Sequence, residues 1–266
     1  MEDGRVGSAL EPMMPTVDPN KSLRFSTTKL AEVDSTNAYA LRCAEDLPHG
    51  AVIVADRQTA GRGRAGRRWH SPQGNLYMTV LLKEFPAGVK QWGLGWLTLA
   101  MAVAVARVLE TRGLAPRIKW PNDVLLEGRK VAGVLAETRW HQGQPTVLAL
   151  GIGVNLNMPP EEAAKLEVPA AVVAQVLGRS DDRDAFAEEV LVAFFAALGG
   201  VDDAGPQRLK RDVLQRSWFL GRSVLVKRAA GSLSGRAVGL DDQGALLVAD
   251  ESETVHTVLT GDVTCW

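Results

Sequence analysis

RIKWPNDVLLEGRKVAGVLAETRWHQGQPTVLALGIGVN, residues 117–155, is a run of short apolar segments broken by polar turns. RIKW, VLL, KVAGVLAETRW and TVLALGIGVN have the length and β-branched content of strands, and Pro, Asn, Asp and Gly separate them. No segment of helical length intervenes, so these are consecutive strands of one sheet rather than βαβ units. Upstream, AVIVAD (51–56) and LYMTVLLK (76–83) read as buried strands, and Phe25 to Val33 as another. Asp34-Ser35-Thr36-Asn37 puts side-chain oxygens just ahead of AYALRCAEDL, which predicts a helix capped by Ser35 or Asp34.

A second helix is expected from about Trp92 to Arg112, ending at Gly113. Its uncharged stretch, Gln91 to Ala106, has 16 residues, short of the roughly 20 that span a bilayer. It is read as a core helix. Helical patterns return at about 168–178, 184–198 and 206–217. Strands in runs and helices in runs make residues 25–218 an α+β domain. From Leu220 the texture changes to GRSVLVKR, LSGRAVGL, GALLVAD and TVHTVLTGDV, four alternating strands of a small β-barrel-like module over 219–266. A module of this size buries too little surface to be secure alone and should pack on the larger domain. Residues 1–24 hold three prolines and no basic-then-apolar leader, so they read as a flexible N-terminal tail of a cytoplasmic protein.

Across 266 residues, 30 Lys and Arg oppose 31 Asp and Glu, for a net charge of -1. That balance argues against a surface that binds nucleic acid or membrane throughout, while leaving room for a local patch. Cys43 and Cys265 lie far apart and lack metal-site spacing, so free thiols are expected.

The local patch is residues 57–83, where Arg57, Arg62, Arg64, Arg67, Arg68 and Lys83 occur with no acid between Asp56 and Glu84. GRGRAG (61–66) matches the dinucleotide fingerprint in letters, but a strand follows where a helix must open. It half-matches a P-loop too, yet Arg67 and Arg68 stand where Lys and Ser/Thr are needed. What remains is a glycine-rich loop dense in guanidinium groups, suited to carboxylates and phosphates, or else a solvated basic loop. Pro121-Asn122-Asp123 forms a turn at one sheet edge, Lys130 opens an apolar strand, and GIGVNLN (151–157) ends a strand with two glycines and Asn155, which suits backbone contact with a ligand.

STN at 35–37, QTAGRGRAGRRW at 58–69, KWPND at 119–123, KVAGVL at 130–135 and GIGVNLN together resemble the biotin protein ligases, and GRAVGLDDQGALLV resembles that family's C-terminal domain. The resemblance covers about residues 25–266. It implies a mixed-sheet catalytic domain of the biotin/lipoate ligase type plus a small SH3-like β-barrel. It also implies condensation of biotin with ATP and Mg2+ to biotinyl-5'-AMP, then transfer to a lysine of biotin carboxyl carrier protein. By match to the family, Ser35, Thr36, Asn37, Gln58, Arg62, Gly63, Arg64 and Lys130 contact biotin, and Arg67, Trp69, Asn122 and Asn155 are candidates around ATP. Lys130, Arg64 and Asp123 are the catalytic candidates, Asp123 serving as base, positioner or magnesium ligand. Ala65 replaces an arginine that many members carry. The first 24 residues are too short for the winged helix-turn-helix of repressor members, so specific DNA binding is not expected. A homodimer is common in the family. Lipoate ligases and octanoyl transferases share the fold but not GRGRAGRRW.

Overall fold

The computed structural model describes residues 25–83, 93–142, 144–166, 168–199, 205–229 and 231–265. The tail expected over 1–24 lies outside them. A seven-stranded mixed sheet is built from β1 (Thr27–Val33), β2 (Val52–Gln58), β3 (Leu76–Leu82), β4 (Arg117–Lys119), β5 (Asp123–Leu126), β6 (Arg129–His141) and β7 (Gln144–Val154). Their order is β1-β2-β3-β7-β6-β5-β4, with β1 parallel to β2 and every other pair antiparallel.

Residue parity decides what each sheet face meets. Ile53, Leu81, Val147 and Ala149 face α1 (Thr36–Arg42), packing with Ala40 and Ala44. On the other face Val52, Val54, Met78, Val80, Leu148 and Leu150 join the core that holds α2 (Leu94–Thr111) and α5 (Arg183–Gly199). β3, covered on both sides, is buried along its whole length. By length and composition α2 is apolar enough to cross a membrane, but 67% of it is buried within the fold, as expected of a core helix. α5 lays Phe186, Val190, Phe194 and Leu198 into that core at helical spacing.

Two sequence expectations need correction in this region. The helix expected over 168–178 is shorter, α4 (Val173–Leu177), because Ala170 and Ala171 are drawn into pairing with Lys130. A four-residue α3 (Pro160–Ala163) has no counterpart among the expected helices. The last helix of the domain, α6 (Gly205–Gln215), falls close to its expected place.

The terminal module has five strands where four were expected: β8 (Ser223–Arg228), β9 (Gly231–Leu240), β10 (Leu246–Ala249), β11 (Val255–Val258) and β12 (Asp262–Cys265). TVHTVLTGDV is two strands broken at Leu259–Gly261, where a side chain on Gly261 would press within 2.6 Å of Val226 Cγ1. The five form one antiparallel sheet in the order β11-β10-β9-β8-β12. Val224, Leu240, Leu246 and Val263 share one continuous core with the catalytic sheet and α2. The module therefore packs on the larger domain, as its size required. Cys43 and Cys265 are free thiols.

Candidate active site

The site grows from one face of the catalytic sheet. Register places Asp123 of β5 opposite Gly133 of β6, Gly133 opposite Gly153 of β7, and Gly153 opposite Tyr77 of β3. The next row on the same face is Leu135, Gly151 and Thr79. Three glycines thus leave a shallow trough. The protein's own side chains occupy it, correcting the expectation that these glycines suit ligand contact. A methyl group on Gly151 would come within 2.3 Å of Asn37 Oδ1, and one on Gly153 within 2.5 Å of the Trp69 indole. Gly133 accommodates Lys130 and Trp69 in the same way.

At one end of the trough sits the N-terminus of α1. Ser35, extended at φ -156, caps it by accepting from the Ala38 amide. Thr36 donates its amide (2.9 Å) and hydroxyl (3.2 Å) to Gln58 Oε1, and Gln58 Nε2 donates to Ser71 Oγ (3.0 Å). Asn37 Nδ2 donates to Leu135 O (3.1 Å) and Glu137 Oε2 (3.0 Å), while Thr79 Oγ1 lies 2.7 Å from Asn37 Oδ1. Ser35, Thr36 and Asn37 are all buried, forming a satisfied polar floor.

At the other end, Lys130 Nζ lies 2.6 Å from Asp123 Oδ1 and 5.0 Å from the centroid of the Trp69 ring. The Trp69 indole N–H is buried with no acceptor among the described residues. An orphaned donor in a polar trough is what a bound acceptor would satisfy. Asn155, named as an ATP candidate, sits behind this end. Its Nδ2 donates to Ala171 O (3.2 Å) and Lys130 O (3.5 Å), so it anchors the start of β6.

The arginine loop covers the trough. Gly61 is buried at its stem, where a side chain would meet Ser71 Oγ and Trp69 O within 2.5 Å. Ala65 and Gly66, at φ 53 and 73, turn the apex. Ala65 is thus a left-handed non-glycine residue. Arg62 pairs with Glu137 (3.1 Å), and Arg64 donates to Asn122 Oδ1 (2.9 Å), Thr260 Oγ1 (3.0 Å) and Gly261 O (3.3 Å). Arg67 Nη2 meets both oxygens of Asp262 at 2.7 and 2.9 Å. Asn122 passes the chain of contacts onward, donating to Val134 O (2.7 Å). The stretch without acids in sequence is therefore not without acids in space.

Burial holds the Arg64 guanidinium below its ordinary pKa. Burial pushes Asp262 upward, but the neighbouring Arg67, Arg64 and Lys119 outweigh it and the carboxyl ends below its ordinary value. Between the loop and the terminal module lies a cavity of about 880 Å³, lined by residues 60–68, Leu135, Glu137, Lys227–Ala229 and Thr260–Asp262. Gly63 lines it through the loop backbone. The arginine loop, Trp69, Asn122, Asp123, Lys130 and the start of α1 are neighbours around the trough, Asn155 lies behind it, and Ser71, Thr79, Glu137 and the 260–262 turn join them. Glu137 shares strand parity with Gly133 and Leu135, a signal present in the sequence; Asp262 had none.

The Biotin/lipoate A/B protein ligase family matches residues 30–155, and the Biotin protein ligase C terminal domain matches 219–265. The bifunctional ligase/repressor BirA of Bacillus subtilis is 33% identical over 87% of this chain and 71% of its own. A biotin--[acetyl-CoA-carboxylase] ligase of Paracoccus denitrificans is 36% identical over 82% of this chain and 92% of its own. Among solved structures, a biotin protein ligase from Aquifex aeolicus in complex with biotin and ATP superposes with a TM-score of 0.75 at 31% identity, covering 91% of this chain and 98% of that one.

Proposed function

Because this chain belongs to the biotin protein ligase family, we propose that it joins biotin to a lysine of biotin carboxyl carrier protein at the expense of ATP, through biotinyl-5'-AMP. The observation that carries this reading is the Lys130 ammonium, held against Asp123 and against the ring of Trp69, whose amide bonds to Gly61 at the stem of the arginine loop.

In the first half-reaction a biotin carboxylate oxygen attacks the α-phosphorus of ATP and pyrophosphate departs. Nucleophile, electrophile and leaving group are all anionic, so the cost of bringing them together falls if cations stand in place beforehand. Lys130, Arg62, Arg64 and Arg67 supply them. In the second, the acceptor lysine nitrogen attacks the acyl carbon and AMP departs. That lysine is mostly protonated at neutral pH and an ammonium has no lone pair, so one proton must pass to solvent before attack, and a second leaves the nitrogen for solvent as the amide forms. Asp123 already partners Lys130. Its first role is to position that ammonium.

The α1 floor and Gln58 take the biotin ring system, and the Trp69 face and Asn122 take the nucleotide. Magnesium accompanies ATP, but the residues present do not build a cage for it. Among the described residues no three His, Cys, Asp or Glu side chains cluster, and Asp123 lies 2.6 Å from the Lys130 ammonium. When bound with ATP, the ion would offset phosphate charge, and it needs few protein ligands to do so.

The test is ATP–pyrophosphate exchange measured separately with biotin, lipoate and octanoate. Exchange with biotin alone is expected. Exchange driven by lipoate or octanoate instead would overturn the substrate assignment.

A further inference from the structure

We propose that Asp262 is a positioning residue for the arginine loop, standing in for a substrate anion while the site is unliganded. The proposal rests on the reading that these arginines bind anionic substrate groups, and it concerns a residue of the terminal module rather than of the catalytic sheet.

Four arginines at 62, 64, 67 and 68 crowd a short loop, and like charges at that spacing repel one another. Glu137 answers Arg62 from the sheet. At the apex the catalytic domain offers Arg64 a neutral acceptor, Asn122 Oδ1 at 2.9 Å, but among the described residues no carboxylate answers Arg67 from that side: Ala65 and Gly66 are exposed, and the backbone bonds from Gly63 N to Arg67 O and from Arg67 N to Arg64 O are internal to the loop. The other external ties come from the β11–β12 turn, which for Arg67 and Asp262 is 195 residues away in sequence. There Thr260 and Gly261 accept from Arg64, and Asp262 takes Arg67. The cavity lies between these two walls, so the pair sits at its rim.

Magnitude decides whether the pair is a lock or a latch. The Arg67 and Asp262 side chains are 59% and 54% exposed. A pair so open to water is weak, screened by salt and readily displaced by a polyphosphate or a mixed anhydride. It can hold the unliganded loop down without barring substrate.

Limited trypsin digestion of the full-length protein reads the latch directly, because opening exposes the bonds after Arg62, Arg64, Arg67 and Arg68. Without ligand, Asp262→Asn should be cut in the loop about two- to fivefold faster than the parent, the range an exposed ion pair supports. Asp262→Glu should restore the parent rate. Raising NaCl should accelerate cleavage of the parent more than that of Asp262→Asn, whose loop keeps, among the described residues, only the Arg62–Glu137 pair for salt to screen, a difference that a merely structural role for Asp262 would not produce. Equal cleavage of folded parent and Asp262→Asn would overturn the proposal, as would a parent rate indifferent to salt. Asp262→Ser, which removes the same charge from an exposed side chain, repeats the comparison if Asp262→Asn fails to fold. Adding biotin with ATP should protect both proteins alike. Protection of neither would count against the ligase reading, while the unliganded comparison still decides the latch.

Discussion

The Lys130 ammonium is fixed from two sides, by a carboxylate at 2.6 Å and an aromatic face at 5.0 Å, while its stem runs along an apolar strand. Methionine keeps the stem and removes the charge. Lys130→Met should therefore fold with near-parent stability and lose about 10² to 10³ in the rate of adenylate formation, the usual cost of removing one preorganised charge contact. Pyrophosphate exchange beside a thermal melt checks this, and parent-like exchange in a folded variant would remove Lys130 from the chemistry. Asp123→Asn tests the neighbour. If Asp123 works through Lys130, misplacing the ammonium should slow adenylation about 10- to 100-fold. Single-turnover transfer from preformed biotinyl-5'-AMP gives the other half. A loss confined to transfer would reassign Asp123 to the acceptor lysine.

Strands β6 and β7 carry function through what they lack. Gly153 leaves room for a rigid indole, and a methyl group 2.5 Å from Cε2 and Nε1 cannot be absorbed by a flexible side-chain tip. Gly153→Ala should cost about 1–3 kcal/mol, as overpacking does, and should raise the KM for ATP by displacing Trp69. Gly239→Ala on β9, where an added methyl group meets open space, is the control. Urea unfolding and nucleotide titration measure both, and a neutral Gly153→Ala would place Trp69 off this platform. Lys130, Asp123, Trp69 and the arginines are legible in the sequence because each lies within a few residues of a diagnostic turn. Their partners are not so placed. Arg67 meets Asp262 only after the chain has folded its second module against the first. The fifth terminal strand is hidden for a similar reason, since the break at Leu259–Gly261 depends on close approach to Val226 rather than on local composition. The two glycines of GIGVNLN are sites of close approach, as the motif implies, but the approaching groups are Asn37 and Trp69.

At the scale of the whole molecule, two tryptophans join the parts. Trp96, in the first turn of α2, donates its indole N–H to Asp242 O (2.9 Å), and Trp120, in the turn before Asn122 and Asp123, donates to Gly244 O (2.9 Å). Both rings are almost wholly buried, and both acceptors lie in the β9–β10 turn of the terminal module. The module is thereby tied to the same turn that carries Asp123, while its β11–β12 connection, at Thr260–Asp262, touches the arginine loop. One rigid assembly should result, melting in a single transition. Trp120→Phe removes the donor and leaves a buried carbonyl unpaired, so it should cost about 1–3 kcal/mol. Trp96→Phe in the same chain should cost more than the sum of separate losses would allow for independent sites, because both indoles grip one turn. Calorimetry of the double variant should then resolve two transitions, the lower belonging to the module. A parent protein that already melts in two steps would show that the tryptophans do not couple the modules. In that case the contacts at 260–262 would have to form anew each time the module docked.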